Sequence, residues 1–183
     1  MAAPLLVTFS AGEAGLWRID RISTYIGDGL PGAARLAIHE GPAAIYEPAW
    51  TLRGATSNAR YANRDETDTL RSRQQGLSRA NATRAALIPI RKNAAWWDMA
   101  QDERRAIFEE RSRHIGIGLD YLPAIARRLH HSRELGEPFD FLTWFEYAPE
   151  HSDAFEEMVR RLRQTEEWRY VDREVDIRLS REA

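Results

Sequence analysis

Three side chains carry most of the chemistry that this sequence could do: His114, Arg127 and Glu167. His114 falls at the C-terminal end of a helix predicted over 96–115, seven residues after Ile107. Seven residues is close to two helical turns, so both face inward. Gly116 and Gly118 follow, and glycines let a flat ligand approach the backbone. An imidazole there could ligate a metal, or could simply cap the helix against its dipole. Arg127 lies thirteen residues further on, beside Arg128 and between Ile125 and Leu129 of the next predicted helix. Drawn inward, its guanidinium would need an anionic partner or ligand; left outward, its stem would cover apolar surface. Glu167 directly precedes Trp168 at the start of a predicted strand. Near a ligating histidine it would accept the second ring N–H and make the imidazole more basic; otherwise it is an exposed acid.

The remaining candidates are weaker. Cysteine is absent, which excludes disulfides, thiolate zinc sites, iron–sulfur clusters and thiolate-ligated haem. His130 and His131 are adjacent and, in a helix, point about 100° apart, so they cannot easily share one metal. His39 and His151 have no partner at ligand spacing, which leaves a histidine-based zinc or non-haem iron site poorly supported. Residues 27–32 (GDGLPG) match a Gly-rich dinucleotide fingerprint, but Pro31 inside it and the short segment after it favour a turn. No nucleophile elbow or phosphate loop is present, so hydrolase and phosphoryl-transfer functions have no anchor. Trp96, Trp97, Trp144, Phe139, Phe141 and Phe145 could be core, or could line an apolar slot for a porphyrin. Lys92 is the single lysine beside 25 arginines.

These groups must be positioned by a chain of 183 residues, enough for about one domain with a substantial core. With 26 basic and 28 acidic residues the net charge is −2, so there is no bulk basic field for nucleic acid or an anionic membrane. No apolar run approaches the ~20 residues of a membrane span, and the N-terminus lacks the basic and apolar regions of a secretion signal. A soluble, cytoplasmic protein is expected. Short strands are predicted over 4–9, 15–26 and 45–54, with 27–43 mostly irregular and 60–80 mixing helix and loop. From residue 84 the pattern sharpens. A strand over 84–90 precedes the helix over 96–115, and a second helix begins near Asp120 with the stripe Leu122, Ile125 and Leu129. An aromatic strand over 139–147 follows, then a helix after Pro149 with the stripe Phe155, Met158, Val159 and Leu162. The strand over 168–179 alternates Val175, Ile177 and Leu179 against Glu174, Asp176 and Arg178. This order predicts an α+β fold of the ferredoxin-like, dimeric α+β barrel type. Residues 81–183 would form that layer, and residues 1–80 a truncated partner layer in the same compact unit.

Six ordered blocks resemble the chlorite dismutase family. They are residues 52–58 (LRGATSN) with Tyr61, 88–97 (IPIRKNAAWW), 113–118 (RHIGIG), 127–132 (RRLHHS), 136–146 (GEPFDFLTWFE) and 166–171 (EEWRYV). The short chain is similar to the compact branch of the family, whose members form homodimers.

The resemblance implies a b-type haem in the C-terminal layer. His114 matches the proximal iron ligand, Glu167 its hydrogen-bond partner, and Lys92 a member of the same network. Arg127 matches the distal arginine, with Gln74 expected to hydrogen-bond it. Asn58, Tyr61 and Trp96 fall where propionate and haem-edge contacts are expected. Coproheme decarboxylases share the fold but carry glutamine at the position of Arg127. A cation there suits an anionic oxidant, so the implied activity is decomposition of chlorite to chloride and dioxygen with O–O bond formation. Coproheme decarboxylation, slow haem peroxidase activity and a non-enzymatic haem carrier or sensor remain the alternatives.

Overall fold

A computed structural model describes residues 4–41, 47–56 and 61–182. Eight strands, β1 (Leu6–Gly12), β2 (Trp17–Ile26), β3 (Arg35–Glu40), β4 (Trp50–Thr56), β5 (Arg84–Lys92), β6 (Ala126–His131), β7 (Phe141–Tyr147) and β8 (Val171–Ser180), close into one barrel. Their order is β1-β3-β2-β8-β5-β7-β6-β4, and every pairing is antiparallel. The helices are α1 (Arg64–Arg73), α2 (Ala94–Asp98), α3 (Gln101–Arg105), α4 (His114–Asp120) and α5 (Ser152–Arg163), with a π-helical turn over Ala106–Arg111. Among the described residues no helix is long and apolar enough to cross a membrane.

Two cores follow from strand alternation, because successive side chains point to opposite faces. Phe9, Leu52, Leu87, Leu142, Trp144 and Ile177 come from strands around the ring and fill the barrel interior. The intervening residues of β5 and β7, such as Ile88, Ile90, Phe141 and Phe145, face outward and pack against Phe155, Met158, Val159 and Leu162 of α5. The α5 stripe is therefore buried as its periodicity predicts. Each such side chain contributes roughly 1.5–3 kcal/mol on burial.

Three expectations need correction. Residues 27–43 are not irregular throughout: β3 lies within them and pairs with both β1 and β2. The predicted helix over 96–115 is interrupted, running α2, α3 and the π-helical turn before α4 begins at His114. The second helix, predicted from Asp120 through Leu129, is replaced by β6. Leu122, Ile125 and Leu129 imitate a helical stripe, but β6 hydrogen-bonds in register with β7, with Arg127 opposite Phe145 and Leu129 opposite Thr143. The charged side of β8 is also buried. Glu174 and Asp176 lie under α5, where Arg163 bridges them at 2.6 and 2.7 Å, and Arg178 pairs with Asp176 and Glu156.

Candidate active site

A cavity of about 590 Å³ lies against the outward faces of β5, β6 and β7. His114, Glu167, Lys92, Arg127, Gln74, Tyr61 and Trp96 all line it. Seven of the eight sequence-predicted residues thus meet at one place; Asn58 lies outside the described residues. The rest of the wall is largely apolar, including Ile88, Ile90, Phe141 and Phe145. Its size is that of a small-molecule or cofactor site.

His114 is placed by an interruption in the helix. After the π-helical turn, Arg113 adopts a left-handed conformation (φ 51°, ψ 38°), and α4 starts at His114. The histidine is therefore the first residue of a helix rather than its C-terminal cap. A left-handed non-glycine residue costs about 1 kcal/mol or more, so surrounding contacts must hold the turn. Phe108 stacks on the imidazole at 4.3 Å and Trp168 lies nearly parallel to it at 6.4 Å.

The Nδ1 of His114 is 2.6 Å from Glu167 Oε2. Burial raises the Glu167 pKa, but His114 and Lys92 overcome it with charge and hydrogen bonds and bring the carboxyl down to about 2. Glu167 is thus an acceptor facing Nδ1, and in the neutral imidazole a proton held at Nδ1 leaves the Nε2 lone pair free. Lys92 Nζ donates to Glu167 Oε1 at 2.6 Å and lies 4.5 Å from the Trp96 ring centroid. Burial pulls the lysine below its usual pKa, and Glu167 opposes that pull. Ser112 Oγ accepts the main-chain N–H of Glu167 at 2.9 Å. Trp168 Nε1 donates to Glu174 Oε2 at 2.8 Å.

Arg127 reaches the cavity from β6, with its guanidinium against α4 at Gly118. Among the described residues its guanidinium has no hydrogen bond or ion pair. Burial lowers its pKa, and Glu109 is the carboxylate whose charge offsets this. Gln74 Nε2 donates to Arg127, but to its main-chain carbonyl, at 2.9 Å, and not through the guanidinium. Tyr61 meets Trp96 edge to face at 5.9 Å. His131 lines the cavity, whereas His130 is fully buried with its ring on Phe9. Sequence reasoning missed Glu109, and took Phe108 for part of a helical stripe and Trp168 for a strand residue. Only the extra residue of a π-helical turn brings Phe108 and Glu109 to the histidine, and no local pattern announces it.

The donor set fits a tetrapyrrole. One imidazole presents a free nitrogen, and among the described residues no cluster of three or more His, Asp or Glu side chains could hold an ion unaided. A metal ligated by His114 would have to bring its remaining ligands with it. Trp96 Nε1 and Gln74 Oε1 are buried in residues lining the cavity and have no hydrogen-bond partner among the described residues, as befits groups that meet a ligand.

The comparisons with known proteins agree. Residues 33–183 match the family model for chlorite dismutase. The chlorite dismutase of Ideonella dechloratans is 34% identical over 98 residues, 52% of this chain, and the match spans about a third (33%) of that relative's length. The solved dimeric chlorite dismutase of Nitrobacter winogradskyi is 58% identical, with a TM-score of 0.90 over 96% of this chain and 99% of that one. A chlorite dismutase variant from Candidatus Nitrospira defluvii shares the fold at 21% identity, with a TM-score of 0.65 over 97% of this chain and 91% of that chain. With its sequence matched over residues 33–183 and its barrel superposing on solved members, this chain belongs to the chlorite dismutase family.

Proposed function

We propose that this chain binds a b-type haem through His114 and decomposes chlorite to chloride and dioxygen as a homodimer. The observation that carries the proposal is the His114–Glu167–Lys92 chain on the cavity wall, with Nδ1 spent on a buried carboxylate and Nε2 left to donate. When bound, the haem supplies a redox-active iron at which the Cl–O bond can break and the O–O bond can form.

The protein's part is binding, electrostatics and confinement. Glu167 accepts the Nδ1 proton and increases the electron donation available at Nε2, while Lys92 keeps that carboxylate ionised in a buried setting. Arg127, with no competing anion bonded to it among the described residues, attracts and orients the chlorite anion. In a cavity of low dielectric a preorganised cation stabilises an anion far better than it would in water. The same guanidinium retains the chlorine–oxygen fragment, so that O–O bond formation takes place inside one cavity rather than by a second encounter. Trp96, Tyr61 and Asn58 serve the haem edge and propionates, and Gln74 holds the β6 backbone that carries Arg127. The dimer is supported by likeness to the dimeric Nitrobacter enzyme.

Haem-loaded protein mixed with chlorite in an oxygen-electrode cell tests this. Oxygen evolution and a Soret band are expected. Arg127→Ala should lower turnover and release trappable hypochlorite, and His114→Ala should mainly weaken haem retention. Haem binding without oxygen evolution would overturn the activity. Conversion of coproheme with peroxide would favour decarboxylation instead, against which Arg127 argues.

A further inference from the structure

We propose that Glu109 is the positioning residue that aims His114, acting through the turn on which the histidine sits. The inference rests on His114 being the iron ligand. Glu109 belongs to the π-helical turn, and its main-chain carbonyl accepts the N–H of Ser112 and, at 2.8 Å, that of Arg113. Its carboxylate then passes over the histidine: Oε2 accepts the N–H of Ile115 at 2.6 Å and Oε1 that of Gly116 at 3.2 Å. One residue therefore takes four main-chain protons, two on either side of His114.

The local backbone needs such a clamp. Arg113 is left-handed, and α4 has only seven residues, too few to hold its own direction. The first N–H groups of any helix lack internal partners, and Arg113 caps α4 with no side-chain hydrogen bond. Glu109 supplies those acceptors from the preceding turn, in charge-assisted bonds. The neighbouring residue, Phe108, places its ring on the imidazole face. Consecutive residues of one turn thus fix the ring and the backbone beneath it.

The test uses haem-loaded wild type, Glu109→Gln and Glu109→Ala. Each is measured for the iron–imidazole stretching band of the ferrous form, for haem transfer to an apo-globin acceptor, and for melting of the haem-free chain. Glu109→Ala should shift or broaden the band and release haem at least ~10-fold faster. Glu109→Gln keeps an acceptor oxygen and should recover most of the difference. If Glu109→Ala does not fold, Glu109→Gln carries the test, with release at least ~3-fold faster expected. A lower melting point with an unchanged band and release rate would show a merely structural role and overturn the inference. A wild type that lacks the band would instead overturn the ligand assignment on which it rests.

Discussion

Gly118 and Arg127 share one volume: a Cβ built on the glycine would lie 1.7 Å from Arg127 Nη1 and 2.6 Å from Cζ. Those atoms are the far end of a flexible side chain, so Gly118→Ala leaves the backbone intact and displaces the guanidinium. Alanine is better than glycine in a helix by about 1 kcal/mol. If Arg127 holds the role proposed for it, the variant should melt within a few degrees of wild type but lose chlorite turnover by roughly ten- to a hundredfold, as misplacing a catalytic group does. Calorimetry beside an oxygen-electrode trace checks both halves, and unchanged turnover would refute the role proposed for Arg127.

The same substitution at Gly54 should behave in the opposite way. There the added Cβ would meet His130 Cβ at 2.6 Å and Ser132 Oγ at 2.9 Å, so β4 itself must move away from β6. Overpacking of this kind costs about 1–3 kcal/mol. Urea unfolding of Gly54→Ala should show that loss.

His130 sets an acid limb of stability. Its burial inside the barrel, helped by the nearby charges of Arg128 and His131 and opposed by its bond to the Leu142 carbonyl, pushes its pKa down to about 4. An unfolded histidine titrates near 6.5, so between these values the unfolded chain binds the extra proton. Stability is then complete above about pH 6.5 and declines as pH falls toward 4, by an amount on the order of 3 kcal/mol. Glu167 acts in a separate window: its depressed pKa gives stability that is present above about 4.5 and lost as pH falls through about 2. Urea midpoints measured across pH should lose the upper limb in His130→Gln and keep the lower one.

Lys92 and Glu167 should couple strongly. Removing the carboxylate alone strands a buried ammonium, which costs about 3–5 kcal/mol. Glu167→Met should therefore be severely destabilised, and Lys92→Met in the same chain should restore much of the loss. A double-mutant cycle by chemical denaturation that gave simple additivity would contradict this pairing.

Legibility in the sequence followed the solvent on each face. The stripe of α5 read directly because one side meets a core and the other does not, and the apolar run of β5 because both of its faces are buried. The interruption at β6 was hidden because Arg127, Leu129 and His131 line a cavity and Arg128 and His130 share hydrogen bonds on the other face. Neither face shows the apolar contrast that marks a strand. The alternation of β8 separates its charged residues from its apolar ones but does not say what covers the charged side, where Arg163 and Arg178 neutralise the carboxylates under α5. His114 and Arg127 were conspicuous as types, but the left-handed Arg113 and the π-helical turn that set their geometry leave no periodic trace.

A ring of eight strands has one further consequence. Among the described residues each strand has a neighbour on both sides, although β4 meets β6, and β2 meets β3, over only two residue pairs each, so unpaired amides are confined to those two seams. Self-association of this chain has little open edge along which to extend the sheet and is left mainly with matching side-chain surfaces on the outside of the cylinder. For the same reason the native state gives a misfolded neighbour little template on which to grow cross-β structure.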